Sequence, residues 1–438
     1  MKLIYHEGTI IEEGEYSLPN TVWDNRIKSY RAQALYYREI VEYLKNSKIH
    51  FEDYVLDLIP CPHLSSAVKL RDYQKEAMNR WVQVKKGVIV MPTGSGKTIL
   101  ALKLIEKINS STIIIVPTLD LVQQWKEELK VFGITIGEYT GIRKDLQPIT
   151  VTTYDSAYLN ADNLGNKFKF LIFDEVHHLP AEGYRQIAEM FASPYRLGLT
   201  ATYERANGLH GELPRLIGGL VYEIQSDELT GKYLANYEVI QISIELTEEE
   251  AQDYKKSYNI FRNYLISRKI EMRRPQDFKI IVMRSGSDPA ARAALLARNK
   301  AERIAYNSQN KIKKIRVLLN KKDRIIIFTR YNDMVYEISK TFFIPCITHQ
   351  TNSEERKELL KKFKSGDFSA LVSSQVLDEG IDVPEANVGI IVSGTGSSRE
   401  FTQRLGRLLR PKEGKKAVLY ELITKGTKEV RTSFRRKK

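Results

Sequence analysis

Cysteine is nearly absent from this 438-residue chain. Cys61 and Cys346 stand 285 positions apart and no Cys-x-x-Cys pair occurs, which excludes a disulfide framework and a thiolate zinc site and suits a reducing compartment. Long apolar runs are missing too. The longest, such as Gly87–Met91 and Ile113–Val116, fall far short of the ~18 residues a spanning helix needs, so no membrane helix is expected. Glu7 cuts off any signal-peptide core, and the expected location is cytoplasmic. Nor is the chain poor in core-forming residues: 42% hydrophobic against 28% charged excludes a disordered or collagenous polymer. Its length suggests two or three domains.

What the chain does carry is positive charge, 68 Lys and Arg against 54 Asp and Glu, for a formal net of +14. That surplus favours a polyanionic partner, nucleic acid ahead of a ribosomal or membrane surface. It is unevenly spread. Residues 1–60 hold 7 basic and 10 acidic groups, residues 61–230 hold 19 of each, and residues 231–438 hold 42 and 25, so the whole excess lies in the last segment. Arg298–Arg324 and Lys425–Lys438 are its densest runs, each equally readable as a solvated face. If these groups grip phosphates, binding should weaken steeply with salt.

Residues 1–18 alternate like short strands, and Ile27, Tyr30, Ala34, Tyr37, Val41 and Leu44 then recur at the spacing of a helix. From about residue 65 the pattern becomes short Ile/Val runs, each followed by a helical stretch, as in βαβ units with a parallel sheet. Gly87–Val90, Thr112–Val116, Phe170–Phe173 and Leu197–Thr200 are the clearest strands. A second series runs through Arg324–Phe328, Ala370–Ser373, Val388–Val392 and Ala417–Tyr420. Two α/β units in tandem are expected. Between them, residues 247–320 read as helical and basic, an insertion with its own task.

After the first of these strands comes Met91-Pro-Thr-Gly-Ser-Gly-Lys-Thr98, and then a helical Ile99-Leu-Ala-Leu. Strand, glycine-rich loop and helix stand in the order a phosphate cradle requires. Gly94 and Gly96 let the backbone N–H groups fold around phosphate oxygens, Lys97 neutralises charge and Thr98 can ligate Mg²⁺. The strict pattern opens with Gly, whereas this loop opens with Met91. Phe170–Phe173 runs into Asp174 and Glu175, two carboxylates at the carboxyl edge of the same sheet, where ligands bind in such folds. Alone the pair reads as a helix cap. Beside a phosphate loop it reads as ATP hydrolysis, with Asp174 holding Mg²⁺ and Glu175 orienting and deprotonating the attacking water.

These residues resemble the superfamily 2 helicases, whose second motif is Asp-Glu-x-His. Leu70-Arg-Asp-Tyr-Gln74 resembles the adenine-sensing element, Pro117–Trp125 motif Ia, Thr152-Thr-Tyr154 motif Ib and Leu199-Thr-Ala-Thr202 motif III. Ile327-Phe-Thr-Arg330 resembles motif IV, Gln375–Pro384 motif V and Gln403–Arg410 motif VI. The resemblance implies an ATP and Mg²⁺ site built from Arg71, Gln74, Thr93, Gly94, Ser95, Gly96, Lys97 and Thr98, with Gly380 and Asp382. It implies that Gln403, Arg407 and Arg410 complete catalysis from the second lobe, the two arginines three apart on one helical face. His177 is then a hydrogen-bonding relay, since no third ligand accompanies His177 and His178 for a metal.

A narrower resemblance is to the XPB family of DNA repair and transcription helicases in their short archaeal form. Trp23–Ala32 and Tyr36–Glu39 resemble its small damage-recognition domain, and the helical insertion at about 247–300 fits its thumb. The implied architecture is α/β: two RecA-like parallel-sheet lobes at 63–230 and 231–438, an N-terminal α+β domain at 1–62 and a thumb insertion. The implied function is 3'-5' ATP-driven DNA translocation and opening in nucleotide excision repair. Arg205, Arg268, Lys269, Arg273, Arg274 and Arg330 become the expected DNA contacts. Single-stranded and junction DNA, and a companion nuclease or repair protein, become the expected partners of a monomeric or heterodimeric motor. The family's Arg-Glu-Asp tripeptide stands here as Arg205-Ala206-Asn207, which implies weak intrinsic unwinding. An RNA helicase and an ATP-gated scaffold for a nuclease are the alternatives; a restriction motor would bring a further domain, for which residues 425–438 leave no room.

Overall fold

The computed structural model describes the chain except for residues 15–16, 205–207, 230–236, 273–274, 375–385, 394–416 and 431–438. It forms two compact units, divided after Leu234.

The first unit opens with a small five-stranded sheet in the order β3-β4-β2-β1-β5. Its strands are β1 (Lys2–His6), β2 (Thr9–Glu13), β3 (Val22–Asp24), β4 (Ser29–Gln33) and β5 (Glu52–Tyr54). Helix α1 (Tyr37–Asn46) buries Tyr37, Ile40 and Leu44 against Leu3, Ile10 and Ala32 of the sheet. The helix expected from Ile27 onward therefore starts ten residues later. Ser29–Gln33 instead pairs antiparallel with both β2 and β3, and Lys28, at φ 50°, makes the turn between β3 and β4. Strand pairing that buries Ala32 outweighs an apolar spacing that fits a helix only by coincidence.

The main sheet of this unit has eight strands in the order β13-β6-β12-β11-β7-β10-β8-β9. Along the chain its elements are α2 (Asp72–Val84), β6 (Lys86–Val90), α3 (Lys97–Ile108), β7 (Thr112–Val116), α4 (Leu119–Leu129), β8 (Ile136–Tyr139), β9 (Lys144–Asp145), β10 (Ile149–Thr153), α5 (Tyr154–Leu159) and α6 (Ala161–Leu164). There follow β11 (Phe170–Asp174), α7 (Arg185–Met190), β12 (Tyr195–Thr200), α8 (Leu213–Ile217), β13 (Leu220–Glu223) and α9 (Ser226–Leu229). Every pairing is parallel except the β8–β9 hairpin. All five positions of β7, β10 and β11 are buried, as helices on both faces of a parallel sheet require.

Both ends of this sheet carry polar side chains. At the amino edge the N-terminal domain is fastened: the Tyr5 hydroxyl reaches the carbonyls of Ala161, Asp162 and Met190 at 3.0–3.2 Å, and Asp57 and Ile59 donate backbone bonds to Asn166 and Lys167 just before β11. Beside them Arg196, 2% exposed, donates to the carbonyls of Ser193, Ala188, Leu216 and Phe191. The carboxyl edge holds the phosphate loop and the Asp-Glu pair.

The second unit carries a six-stranded, all-parallel sheet in the order β14-β19-β18-β15-β17-β16. Strand β14 (Tyr237–Ile244) is followed by four helices, α10 (Glu248–Ser267), α11 (Pro275–Arg284), α12 (Pro289–Tyr306) and α13 (Gln309–Leu318). Then come β15 (Ile325–Phe328), α14 (Asn332–Phe342), β16 (Cys346–Ile347), α15 (Ser353–Ser365), β17 (Ala370–Ser373), β18 (Val388–Ile391) and β19 (Ala417–Thr424). The insertion has a core of its own, Phe261, Tyr264, Ile281, Ala291 and Ala294, whereas Ile312 and Ile315 of α13 belong to the core of the sheet. Its root is a capping box: Thr247 caps α10, and the Glu250 carboxylate accepts from the Thr247 N–H. The same carboxylate takes the Ser308 hydroxyl at 2.9 Å and the Gln309 N–H at 2.8 Å, at the start of α13. No helix among the described residues is long and apolar enough to cross a membrane.

Candidate active site

Strand β6 delivers Met91 to the carboxyl edge, and the chain then wraps into a loop before α3 begins at Lys97. Gly94 and Gly96 sit at φ 81° and 85°, left-handed positions that glycine takes without steric cost. At Gly96 a Cβ would also lie 2.5 Å from the Gln74 side-chain nitrogen. The Ser95 hydroxyl closes on the Pro92 carbonyl at 2.6 Å. The loop is held from outside by α2: the Tyr73 hydroxyl donates to the Ser95 carbonyl at 2.6 Å, and Gln74 Nε2 donates to the carbonyls of Ser95 and Gly96 at 2.9 and 3.2 Å. Gln74 Oε1 accepts from the Arg71 N–H at 2.9 Å, so Gln74, buried at 2% exposure, ties the loop with its amide nitrogen to the cap of α2 with its amide oxygen. Lys97 Nζ bonds the Met91 carbonyl at 3.2 Å. Met91 itself is fully buried and its N–H reaches the Thr200 carbonyl, which explains why a large apolar residue can open this loop: only its backbone faces the cradle's lysine.

Asp174 is the last residue of β11, with β12 lying between that strand and β6. Its Oδ1 accepts the Glu175 N–H at 3.0 Å and its Oδ2 accepts the indole N–H of Trp125, from α4, at 2.8 Å. Burial, reinforced by the Glu175 charge, pushes the Asp174 carboxyl up to about 6, against the pull of the Trp125 hydrogen bond and of the nearby Lys97 ammonium. Glu175 stands at φ 48°, a left-handed conformation that costs a residue with a Cβ on the order of 1 kcal/mol. The Tyr154 hydroxyl, from the motif Ib segment, donates to the Asp174 carbonyl at 3.0 Å. His177 Nδ1 lies 3.4 Å from Glu175 Oε2 and 3.1 Å from the Thr200 hydroxyl. Since that hydroxyl donates to the Thr202 carbonyl at 2.9 Å, it must accept from His177, which puts the imidazole proton on Nδ1. A chain His177–Thr200–Thr202 thus joins the second and third motifs.

Around this loop three buried oxygens, Thr93 Oγ1, Glu175 Oε2 and Thr202 Oγ1, have no hydrogen-bond partner among the described residues. Buried polar atoms are rarely left so unless something else completes them. Orphaned acceptors, a positive-φ glycine loop and the start of a twelve-residue helix fit a nucleotide's phosphates and a divalent cation.

Sequence reasoning brings Thr93–Thr98, Arg71, Gln74, Asp174 and Glu175 to this one edge. The positioning roles of Trp125, Tyr73 and Tyr154 are missed, because each acts on a residue at least 20 positions away. In the second unit Arg268 pairs with Asp288 at 3.3 Å, Lys269 is exposed at a left-handed turn, and Arg330 is half-buried on Glu302 at 2.8 Å. Arg205, Arg273, Arg274, Gly380, Asp382, Gln403, Arg407 and Arg410 lie outside the described residues.

Comparison with known proteins places this geometry. Residues 3–55 match the family model of the xeroderma pigmentosum group B helicase damage recognition domain, 67–205 that of the type III restriction enzyme res subunit, and 296–438 that of the ERCC3/RAD25/XPB C-terminal helicase. A DNA 3'-5' translocase XPB2 of Sulfurisphaera tokodaii is 46% identical over 438 residues, covering 99% of each chain. The chain belongs to the XPB family. It is therefore an ATP-hydrolysing enzyme of superfamily 2. A DNA 3'-5' helicase XPB of Mycobacterium tuberculosis is 30% identical over 374 residues, 82% of this chain and 61% of that longer one. Among solved structures, the Hef helicase domain of Pyrococcus furiosus superposes with a TM-score of 0.57 at 18% identity, covering 83% of this chain and 97% of that one. That likeness supports the two parallel-sheet lobes expected of an XPB-type chain.

Proposed function

We propose that this XPB-family enzyme is an ATP-driven 3'-5' translocase on DNA, acting in DNA opening and repair. The observation that carries the reading is the connection at the carboxyl edge. Trp125 of motif Ia, Tyr154 of motif Ib and Thr200 of motif III all end on Asp174, Glu175 or His177, so three further helicase motifs converge on the hydrolytic pair. Lys97, on the Met91 carbonyl here, would balance phosphate charge, and Thr98 and Asp174 would hold Mg²⁺. Held there, the ion would supply charge neutralisation for the γ-phosphate. Glu175, with one oxygen free of hydrogen bonds, orients water and takes its proton. Gln403, Arg407 and Arg410, with Gly380 and Asp382, are assigned to the same reaction on their motifs alone.

The names of the relatives support DNA and the 3'-5' direction, and the match of residues 3–55 supports a repair role. The net charge of −3 over residues 1–60 means that the N-terminal domain recognises by stacking, shape or a protein partner rather than by phosphate attraction. The altered Arg205-Ala206-Asn207 makes intrinsic unwinding weak. Phosphate release measured with single-stranded DNA, duplex DNA and RNA tests the reading. DNA should stimulate it, RNA should not, and Lys97→Ala should lower it by at least a hundredfold without lowering the melting temperature. Stimulation by RNA alone would make it an RNA helicase, no stimulation would make it an ATP-gated scaffold, and fast unwinding of a tailed duplex would refute the weak-unwinding clause.

A further inference from the structure

The two hydrogen bonds on the Asp174 carboxylate come from opposite sources. One is local, the N–H of the next residue; the other arrives from Trp125, 49 positions earlier and on a different helix. The ring of Trp125 is 2% exposed, between the buried Leu121, Val122 and Leu129 of its own helix. An indole has a single N–H, which points wherever the ring is packed, and here the packing aims it at Asp174 Oδ2 at 2.8 Å. Packing alone does not call for tryptophan at this place, since a phenyl ring would fill most of the volume. A carboxylate turns freely about its last torsion unless it is held. Glu175 N–H on Oδ1 and Trp125 N–H on Oδ2 pin it from both sides, and each oxygen keeps a further lone pair.

We infer that Trp125 is a positioning residue for the metal-side carboxylate, its indole N–H fixing the orientation in which Asp174 meets the cation. Helix α4 starts at the Thr118 cap inside motif Ia, where the Thr118 hydroxyl accepts from Leu121 N–H. The same helix therefore carries both the motif Ia loop and the donor that sets Asp174. Outer-shell donors of this kind are worth about ten- to a hundredfold in metal affinity or activity.

The inference rests on Asp174 as the Mg²⁺-side carboxylate, and the experiment separates the two claims. Binding of a methylanthraniloyl-labelled ADP to the full chain is followed by fluorescence, in EDTA and across a Mg²⁺ titration. The variants are Trp125→Phe, Asp174→Asn, Val122→Ala, and the chain carrying benzothienylalanine in place of Trp125, which keeps the bicyclic ring and replaces the N–H by sulfur. The Trp125 substitutions should raise the Mg²⁺ half-saturation about tenfold or more while leaving nucleotide binding in EDTA unchanged. Val122→Ala, a packing lesion in the same helix, should lower the melting temperature and leave the Mg²⁺ curve in place. If Asp174→Asn retains a normal Mg²⁺ response, the reading of Asp174 fails. If it loses the response while benzothienylalanine does not shift the curve, Trp125 is structural and the inference is overturned. Should Trp125→Phe not fold, the isostere alone decides.

Discussion

Arg196 and Asp174 are both buried on neighbouring strands of one sheet, β12 and β11, at its opposite edges, and they are treated in contrary ways. The Arg196 guanidinium makes no ion pair among the described residues, feeling only the Glu39 charge, yet it donates to four carbonyls that gather the ends of α7 and α8, while its own backbone is tied to Trp81 and Lys85. Burial lowers it only to about 9, so it stays charged at neutral pH. At the other edge an ionised carboxylate is disfavoured, and Thr93, Glu175 and Thr202 keep oxygens without partners among the described residues. A guanidinium with four of its five N–H donors used holds the fold together. A polar group left incomplete awaits a ligand, and the fold carries its cost.

The contrast can be broken or sharpened by experiment. The largest expected effect is at the satisfied edge. Arg196→Met leaves four buried carbonyls without donors and should destabilise the first unit by about 3 kcal/mol or more, read as a lower urea midpoint, with phosphate release per folded molecule retained. Equal loss of turnover and stability would mean that the two edges are not separable. At the incomplete edge the effect should depend on pH. The Asp174 carboxyl is raised in the folded state from its ordinary 3.8 to about 6, so its charge penalty is absent below the unfolded value, grows as pH rises from about 4 to 6, and is fully present at 7. Relative to Asp174→Asn, the ligand-free wild type should therefore gain about 2 to 3 kcal/mol between pH 7 and 4; parallel urea curves for the two would refute the penalty. The smallest effect is where the Tyr5 hydroxyl fastens the N-terminal domain. Tyr5→Phe removes one hydroxyl shared among three carbonyls, costs about 1 kcal/mol, and should speed hydrogen exchange in residues 1–60 while leaving ATP turnover unchanged.

How much of this was legible in the sequence follows from distance along the chain. The phosphate loop and Asp174–Glu175 are contiguous signals, and their strands are uninterrupted Ile and Val runs, so both the cradle and the parallel sheet could be read directly. Ile136–Tyr139 escapes notice because Gly137 and Glu138 interrupt its apolar run. Ile27, Tyr30 and Ala34 mislead because strand, turn and helix share a spacing there that one helix would also give. Trp125 and Tyr154 sit inside recognisable motifs, but a sequence does not say which atom a buried donor meets. Arg196 looks like an ordinary strand opener until the ends of two helices are found to converge on it.

The double use of Glu250 has a mechanical consequence. Because one carboxylate binds both the first turn of α10 and the first residues of α13, the helical insertion leaves and re-enters its lobe at a single point. Arg330 on Glu302, Arg303 on Asp333 and the Thr424 hydroxyl on the Ala305 carbonyl then hold α12 against the same lobe, and Ile312 and Ile315 of α13 join the core of its sheet, so the insertion takes its bearing from the lobe it grows out of.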